Sequence, residues 1–206
     1  MTPPADEPTF DGTHWSNADS DRIEVVDPDP DWPRRYREEA TAISDALAIQ
    51  GMRLEHFGST SVPGLAAKPV IDILLLPPPG YDWQRLVAPL EALGYQFWRD
   101  NPATDRMFFV KGMPPRGRGR THHVHVMTQA NAVRHLLFRD HLRNHPEDAA
   151  EYARVKRDLA ERFPTDRDAY TDGKDEVVGA ILGRATAAMH EAGGIQGGDE
   201  GGPVRG

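Results

Sequence analysis

The sequence predicts an α/β protein, more closely an α+β core of mixed β-sheet covered by a C-terminal helical layer. Three observations predict it. Apolar residues switch between strand-like and helix-like spacing from Arg22 to Met127. The run from Val70 to Leu76 is apolar at every position but Asp72, as a strand buried on both faces requires. From Ala132 to His190 the spacing is helical.

Ile23, Val25 and Val26 suggest a short first strand. Pro28 and Pro30 turn the chain, and Asp31 is the expected N-cap of a helix running through Leu47. Tyr36, Ala40, Ile43 and Leu47 share one face of that helix, and Gly51 is expected to end it. Leu54 to Phe57 reads as a strand, Gly58 to Lys68 as a loop and Pro69 to Leu76 as the buried strand. Trp83, Leu86, Val87, Leu90 and Leu93 form the apolar face of a second helix, closed by Gly94. Tyr95 to Arg99 and Arg106 to Val110 suggest a hairpin. The basic loop Lys111 to Arg120 then leads to a strand over Thr121 to Met127. Helices are expected over Ala132 to Arg143, from Pro146 through Glu161, and from Asp166 to His190 with a break near Gly173. The folded domain is expected over residues 22–190. Residues 1–21, polar and acidic, and residues 191–206, rich in glycine, are expected to be a disordered segment and a flexible tail.

The 206 residues include no cysteine, which excludes disulfides, thiolate zinc sites and cysteine nucleophiles. The net charge of −8 weighs against binding a long nucleic acid, which needs a basic surface. It leaves room for a local basic pocket. No apolar run is long enough to cross a bilayer, and no signal peptide is legible, so the expected compartment is the cytoplasm and no membrane partner is expected.

The chemistry concentrates between Glu55 and Asp72. Gly58 follows a strand and precedes Ser59, Thr60 and Ser61. Small and hydroxyl residues after a strand let backbone N–H groups and side-chain donors approach a phosphate. Lys68 adds a point charge. An ionised Asp72 inside an apolar strand needs a cation, a metal or several hydrogen bonds. The spacing is not that of a Walker A loop, since Leu65 follows Gly64 where that motif has lysine.

The block is similar to the nucleotidyltransferase superfamily, whose signature is a strand, Gly-Ser, a short helical stretch and a strand bearing Asp. Over Arg22 to Met189 the chain more closely resembles the GrpB family (UPF0157). The matching stretches are Glu55 to Asp72, Arg106 to Phe109, His123 to Val126, Phe138 to Arg143 and Tyr152 to Leu159, with Lys174 at the end of the pattern. That resemblance implies a nucleotidyltransferase-like fold. Family members carry assorted names, dephospho-CoA kinase among them, and the missing Walker A loop argues against that one here.

The superfamily's usual Asp-x-Asp or Asp-x-Glu is altered, because Leu74 occupies the second acidic position. His123 and His125, two apart on a strand, share a face and can meet Asp72 across the sheet. Glu55 and His56 flank the loop on opposite faces. The candidate metal ligands are therefore Asp72, His123, His125 and Glu55. They would hold a divalent ion, Mg or Mn or a transition metal. Asp72 and His125 are the candidate catalytic residues. Gly58, Ser59, Thr60, Lys68, Arg106, Arg139 and Lys156 are the candidate nucleotide and phosphate contacts. Arg139 and Arg143, one helical turn apart, either line an anionic pocket or form a salt-bridged face.

The expected activity is transfer of a nucleotidyl or phosphoryl-type group from an NTP to a small molecule. Two other readings stay open. One is a nucleotide-binding regulatory module that has lost catalysis. The other is a repurposed His/Asp metal enzyme, a ligase or hydrolase acting on an amino-acid-like substrate.

Overall fold

The computed structural model describes residues 22–194 apart from residues 102 and 115. The expectations for residues 1–21 and for most of 191–206 lie outside the described residues. The final helix extends to Gly194, so the tail cannot begin at residue 191 as expected.

Five strands form one mixed sheet: β1 (Arg53–Phe57), β2 (Ile71–Leu76), β3 (Tyr95–Phe97), β4 (Arg106–Lys111) and β5 (His122–Met127). Their order across the sheet is β1-β2-β5-β4-β3. All neighbours are antiparallel except β2 and β5, the parallel pair at the centre. Central placement explains why β2 is apolar on both faces. Ile71, Ile73 and Leu75 point to one side and pack with Val124 and Val126 against α1 (Trp32–Leu47) and α2 (Val87–Ala92). Leu74 and Leu76 point to the other side with Phe57 and Met127.

That second face lies under α3 (Gln129–Asn144), α4 (Pro146–Arg162), α5 (Arg167–Asp172) and α6 (Asp175–Gly194). Leu142, Tyr152, Ala153, Val177 and Ile181 from these helices close over Val62, Leu65 and Ala66 of the Gly58 loop. The core is thus split by the sheet, and the loop is clamped between sheet and helices. The break near Gly173 is present and separates α5 from α6. No helix among the described residues is long and apolar enough to cross a membrane.

Three local expectations are corrected. Ile23 to Val26 is not a strand: it makes a single antiparallel bridge, Val26 to Ala67. Its apolarity serves packing, since Ile23 is buried with Leu159 and Tyr170. Asp31 precedes α1, but its carboxylate bonds Arg34 at 2.7 Å rather than a backbone N–H. The left-handed residue ending α1 is Ala48 (φ 47°), whereas Gly51 turns the chain into β1.

Candidate active site

The sheet register builds the site. Asp72 pairs with Phe57 on β1, so the chain leaving β1 passes directly above the carboxylate. It pairs with His123 on β5, and His125 lies two residues further along the same face. His123 Nδ1 is 3.0 Å and His125 Nε2 3.7 Å from Asp72 Oδ1. One ligand atom from each of these three residues lies within 4.8 Å of the other two.

Gly58 has φ 67° and ψ −175°, a conformation essentially closed to other residues. A Cβ there would stand 2.4 Å from Asp72 Oδ2. The glycine is therefore required twice, by backbone shape and by contact with the acid. Ser59 to Ser61 then make a 3₁₀ turn held from several sides. Ser61 Oγ donates to the Gly58 carbonyl at 2.6 Å. Arg143 donates twice to the Ser61 carbonyl. Thr60, buried, bonds His56 Nε2 at 3.0 Å and donates to the Val70 carbonyl.

A cavity of about 210 Å³ opens over Asp72, His123, His125 and the loop, and three lysines surround it. Lys156, 2% exposed, donates to Ser59 Oγ at 2.8 Å and to the Ala66 carbonyl. Lys68 and Lys174 both face the Tyr170 ring, at 5.0 and 4.6 Å from its centroid. Burial, aided by neighbouring cations, pushes Lys68 and Lys156 down to about 7, and burial lowers Lys174 as well. Burial would raise the Asp72 carboxyl, but hydrogen bonds from His123 and His125 outweigh it and hold the group well below the usual carboxylate range. Burial pushes His123 down to about 4, against the pull of Asp72. At neutral pH the site thus offers an ionised carboxylate and a neutral His123 imidazole, beside amines poised to accept an anion.

The lysines make stability depend on pH. Between about 7 and the ordinary 10.5, the unfolded chain holds protons on Lys68 and Lys156 that the folded chain has released. The unfolded state binds more protons there, so stability rises with pH across that window. Below about 7 both states are protonated and the penalty is complete. The melting temperature is expected to be higher at pH 9 than at pH 7. A Lys68→Met/Lys156→Met double variant should flatten that rise.

Other candidate residues are placed differently. Glu55 is on the site face of β1, but its carboxylate bonds Arg53 at 2.8 Å and Arg139 at 3.0 Å, and it stands apart from the three-residue cluster. Arg139, whose side chain is 11% exposed, donates to Glu55 and to the His56 carbonyl and bonds Asp140. It fastens α3 to β1. With Arg143 on the Ser61 carbonyl, this face of α3 holds the loop in place. Arg139→Leu is expected to destabilise by about 2–3 kcal/mol in urea unfolding. That is below the full cost of breaking a buried pair, because Glu55 keeps Arg53. Arg106 is bonded to Asp105 and lies in the outer cleft rather than in the inner cavity. Thr60 borders the cavity with its hydroxyl already engaged by His56 of β1 and the Val70 carbonyl.

Sequence reasoning missed Tyr170 as a wall of the cavity and placed Lys174 only through the resemblance. Tyr170 sits in the six-residue α5 and Lys174 in the break after it, where no periodicity marks them.

Comparison with known proteins agrees with this architecture. The family described as "GrpB protein" matches residues 22–184. The UPF0157 protein PA4798 of Pseudomonas aeruginosa is 71% identical over 181 residues, covering 88% of this chain and 75% of that protein. The UPF0157 protein YqkA of Bacillus subtilis is 37% identical over 157 residues, 75% of this chain and 45% of that protein, so the match spans less than half of it. The crystal structure of conserved protein GrpB from Enterococcus faecalis superposes with a TM-score of 0.72 at 34% identity, covering 81% of this chain and 99% of that one.

Proposed function

The chain belongs to the GrpB family, and from that premise we propose that it is a metal-dependent transferase moving a nucleotidyl or phosphoryl-type group from an NTP to a small molecule. One observation carries the reading: Asp72, His123 and His125 share a cavity of about 210 Å³ with Lys68, Lys156, Lys174 and the Gly58-Ser59 turn. Cation-binding groups and anion-binding groups meet there, as a metal-bound polyphosphate requires.

The donor set fits a metal ion. Two ligand atoms about 2.1 Å from a common ion stand roughly 3.0–3.4 Å apart, depending on geometry. The observed separations from Asp72 Oδ1 are 3.0 Å, at the edge of that range, and 3.7 Å, a few tenths of an ångström beyond it. Two imidazoles and one carboxylate favour Mn or Zn over Mg. A divalent ion held there supplies Lewis-acid polarisation of a phosphoryl oxygen. The chain's own residues do the rest. Lys156 and the turn backbone orient the phosphates, Lys68 and Lys174 neutralise their charge, and the helical layer limits access of water. Catalysis of this kind is mainly positioning and electrostatic stabilisation.

Isothermal titration tests the reading. Pyrophosphate and an NTP should bind tightly only after Mn or Zn is loaded. Binding of the metal with no gain for either anion would defeat it. NTP binding without turnover across acceptors would mark the regulatory module. Lys156→Met should keep the melting temperature, since it removes a buried charge and fills the same space. It should weaken pyrophosphate at least tenfold.

A second reading is favoured by Leu74, fully buried where the superfamily has an acid. With one carboxylate and two imidazoles, the site also suits a repurposed metal enzyme, a ligase or hydrolase of a small amino-acid-like substrate. A transition metal retained through purification, with NTPs silent, would put that reading first.

A further inference from the structure

A second and larger cavity, about 670 Å³, adjoins the first and shares Gly58, Ser59, His125, Tyr152 and Lys174 with it. The volume is within the ordinary range for sites that enclose small organic molecules. Phe57 and Phe138 line it from β1 and α3, and Val178 and Leu182 from α6. These side chains make an apolar wall directly beside the polar inner cavity. Phe138 stands edge-on to Tyr152 at 5.2 Å between ring centroids, which sets the wall's shape at the boundary between the two cavities.

The charges around this groove are uneven. Arg106, Arg134, Arg139 and Lys174 border it, against the single carboxylate of Asp175. Arg139 is committed to Glu55 and Asp140, and Arg106 to Asp105, but Arg134 is exposed at the rim. With those two arginines paired, the groove combines apolar walls with a positive margin carried by Arg134 and Lys174. It meets the inner cavity along a seam that includes His125.

We propose that the groove bounded by α3, α6 and the Gly58 loop is the acceptor site, and that it takes a small molecule with an apolar body and one anionic group, its reactive end at His125. The role as acceptor site rests on the transferase reading; the ligand chemistry stands on the groove itself. The apolar body covers Phe138, Val178 and Leu182, and the anion stands toward Arg134. Separate cavities for phosphates and acceptor fit a reaction in which two substrates are held at once.

The test uses 8-anilinonaphthalene-1-sulfonate, an apolar body with one anionic group, and N-phenyl-1-naphthylamine, the same body without the charge. Fluorescence titration of the full chain should give saturable one-to-one binding of the sulfonate. The neutral compound should bind at least tenfold more weakly. Val178→Trp, which fills the groove, and Arg134→Glu, which reverses an exposed charge, should each weaken the sulfonate at least tenfold. Unchanged affinity in Arg134→Glu, or equal affinity for the neutral compound, would overturn the proposal. Arg134 is exposed, so that variant stays informative even if Val178→Trp fails to fold. Mn and pyrophosphate titrations on the same proteins separate the two readings. If the wild type binds neither while the sulfonate pattern holds, the transferase reading falls and the groove remains a site for such anions.

Discussion

Asp72→Ala is expected to abolish binding of Mn or Zn, with a loss in affinity of roughly 100-fold or more. Removing partners behind metal ligands already costs about 10–100-fold, and Asp72 is itself a candidate ligand and the only acid in the three-residue cluster. Its carboxylate also accepts from His123 and offsets the charge of Lys68, Lys156 and Lys174, each of which it pulls upward. The metal-free variant should therefore melt below the wild type at neutral pH as well. The sign follows from the direction of the shift. The Asp72 pKa is lowered on folding, so its contribution is present above the ordinary 3.8 and is lost as pH falls through the folded value. Calorimetric metal titration and a thermal melt on one preparation check both parts. Full metal affinity in Asp72→Ala would remove Asp72 from the site.

Gly58→Ala is expected to be the most damaging single methyl addition in the loop. The backbone at φ 67°, ψ −175° is strained for any side chain, and the new Cβ would lie 2.4 Å from Asp72 Oδ2 and 3.0 Å from its Cβ and Cγ. Backbone strain and overpacking each contribute on the order of 1–3 kcal/mol. Urea unfolding should show a loss of about 3 kcal/mol or more, and metal affinity should fall because Asp72 is displaced. Gly64→Ala is the matched control. Gly64 also has positive φ, 76°, but a Cβ there meets nothing within 4 Å. Its cost should be the backbone's alone, about 1–2 kcal/mol, with metal binding intact. Equal losses in the two variants would mean that contact with Asp72 does not matter.

The sequence by itself determined what local periodicity can carry. Asp72 interrupts an apolar strand, and a buried carboxylate needs a partner. His123 and His125 are two apart, so a strand must present both on one face. Gly58 ends a strand before three hydroxyl residues. Each is a statement about neighbours in the chain, and each was legible, as were the mixed sheet and the helical C-terminal layer. Even so, local pattern misled where packing supplied another reason for apolarity. Ile23 to Val26 looks like a strand because it is apolar, but Ile23 and Val25 pack against the C-terminal helices and only Val26 pairs.

Only the tertiary structure decided which partners meet. The parallel pairing of β2 with β5 sets Asp72 against a histidine 51 residues away, and no spacing in the chain encodes strand order. The same holds for long charged side chains, which bind whatever carboxylate or carbonyl comes within reach. Arg139 and Glu55, expected as a phosphate contact and a metal ligand, are paired with each other, while Lys174 and Tyr170, placed by the break between α5 and α6, became walls of the cavity. Pattern along the chain specifies the face a residue occupies; the company it keeps there depends on contacts distant in sequence, which form only when sheet and helices close.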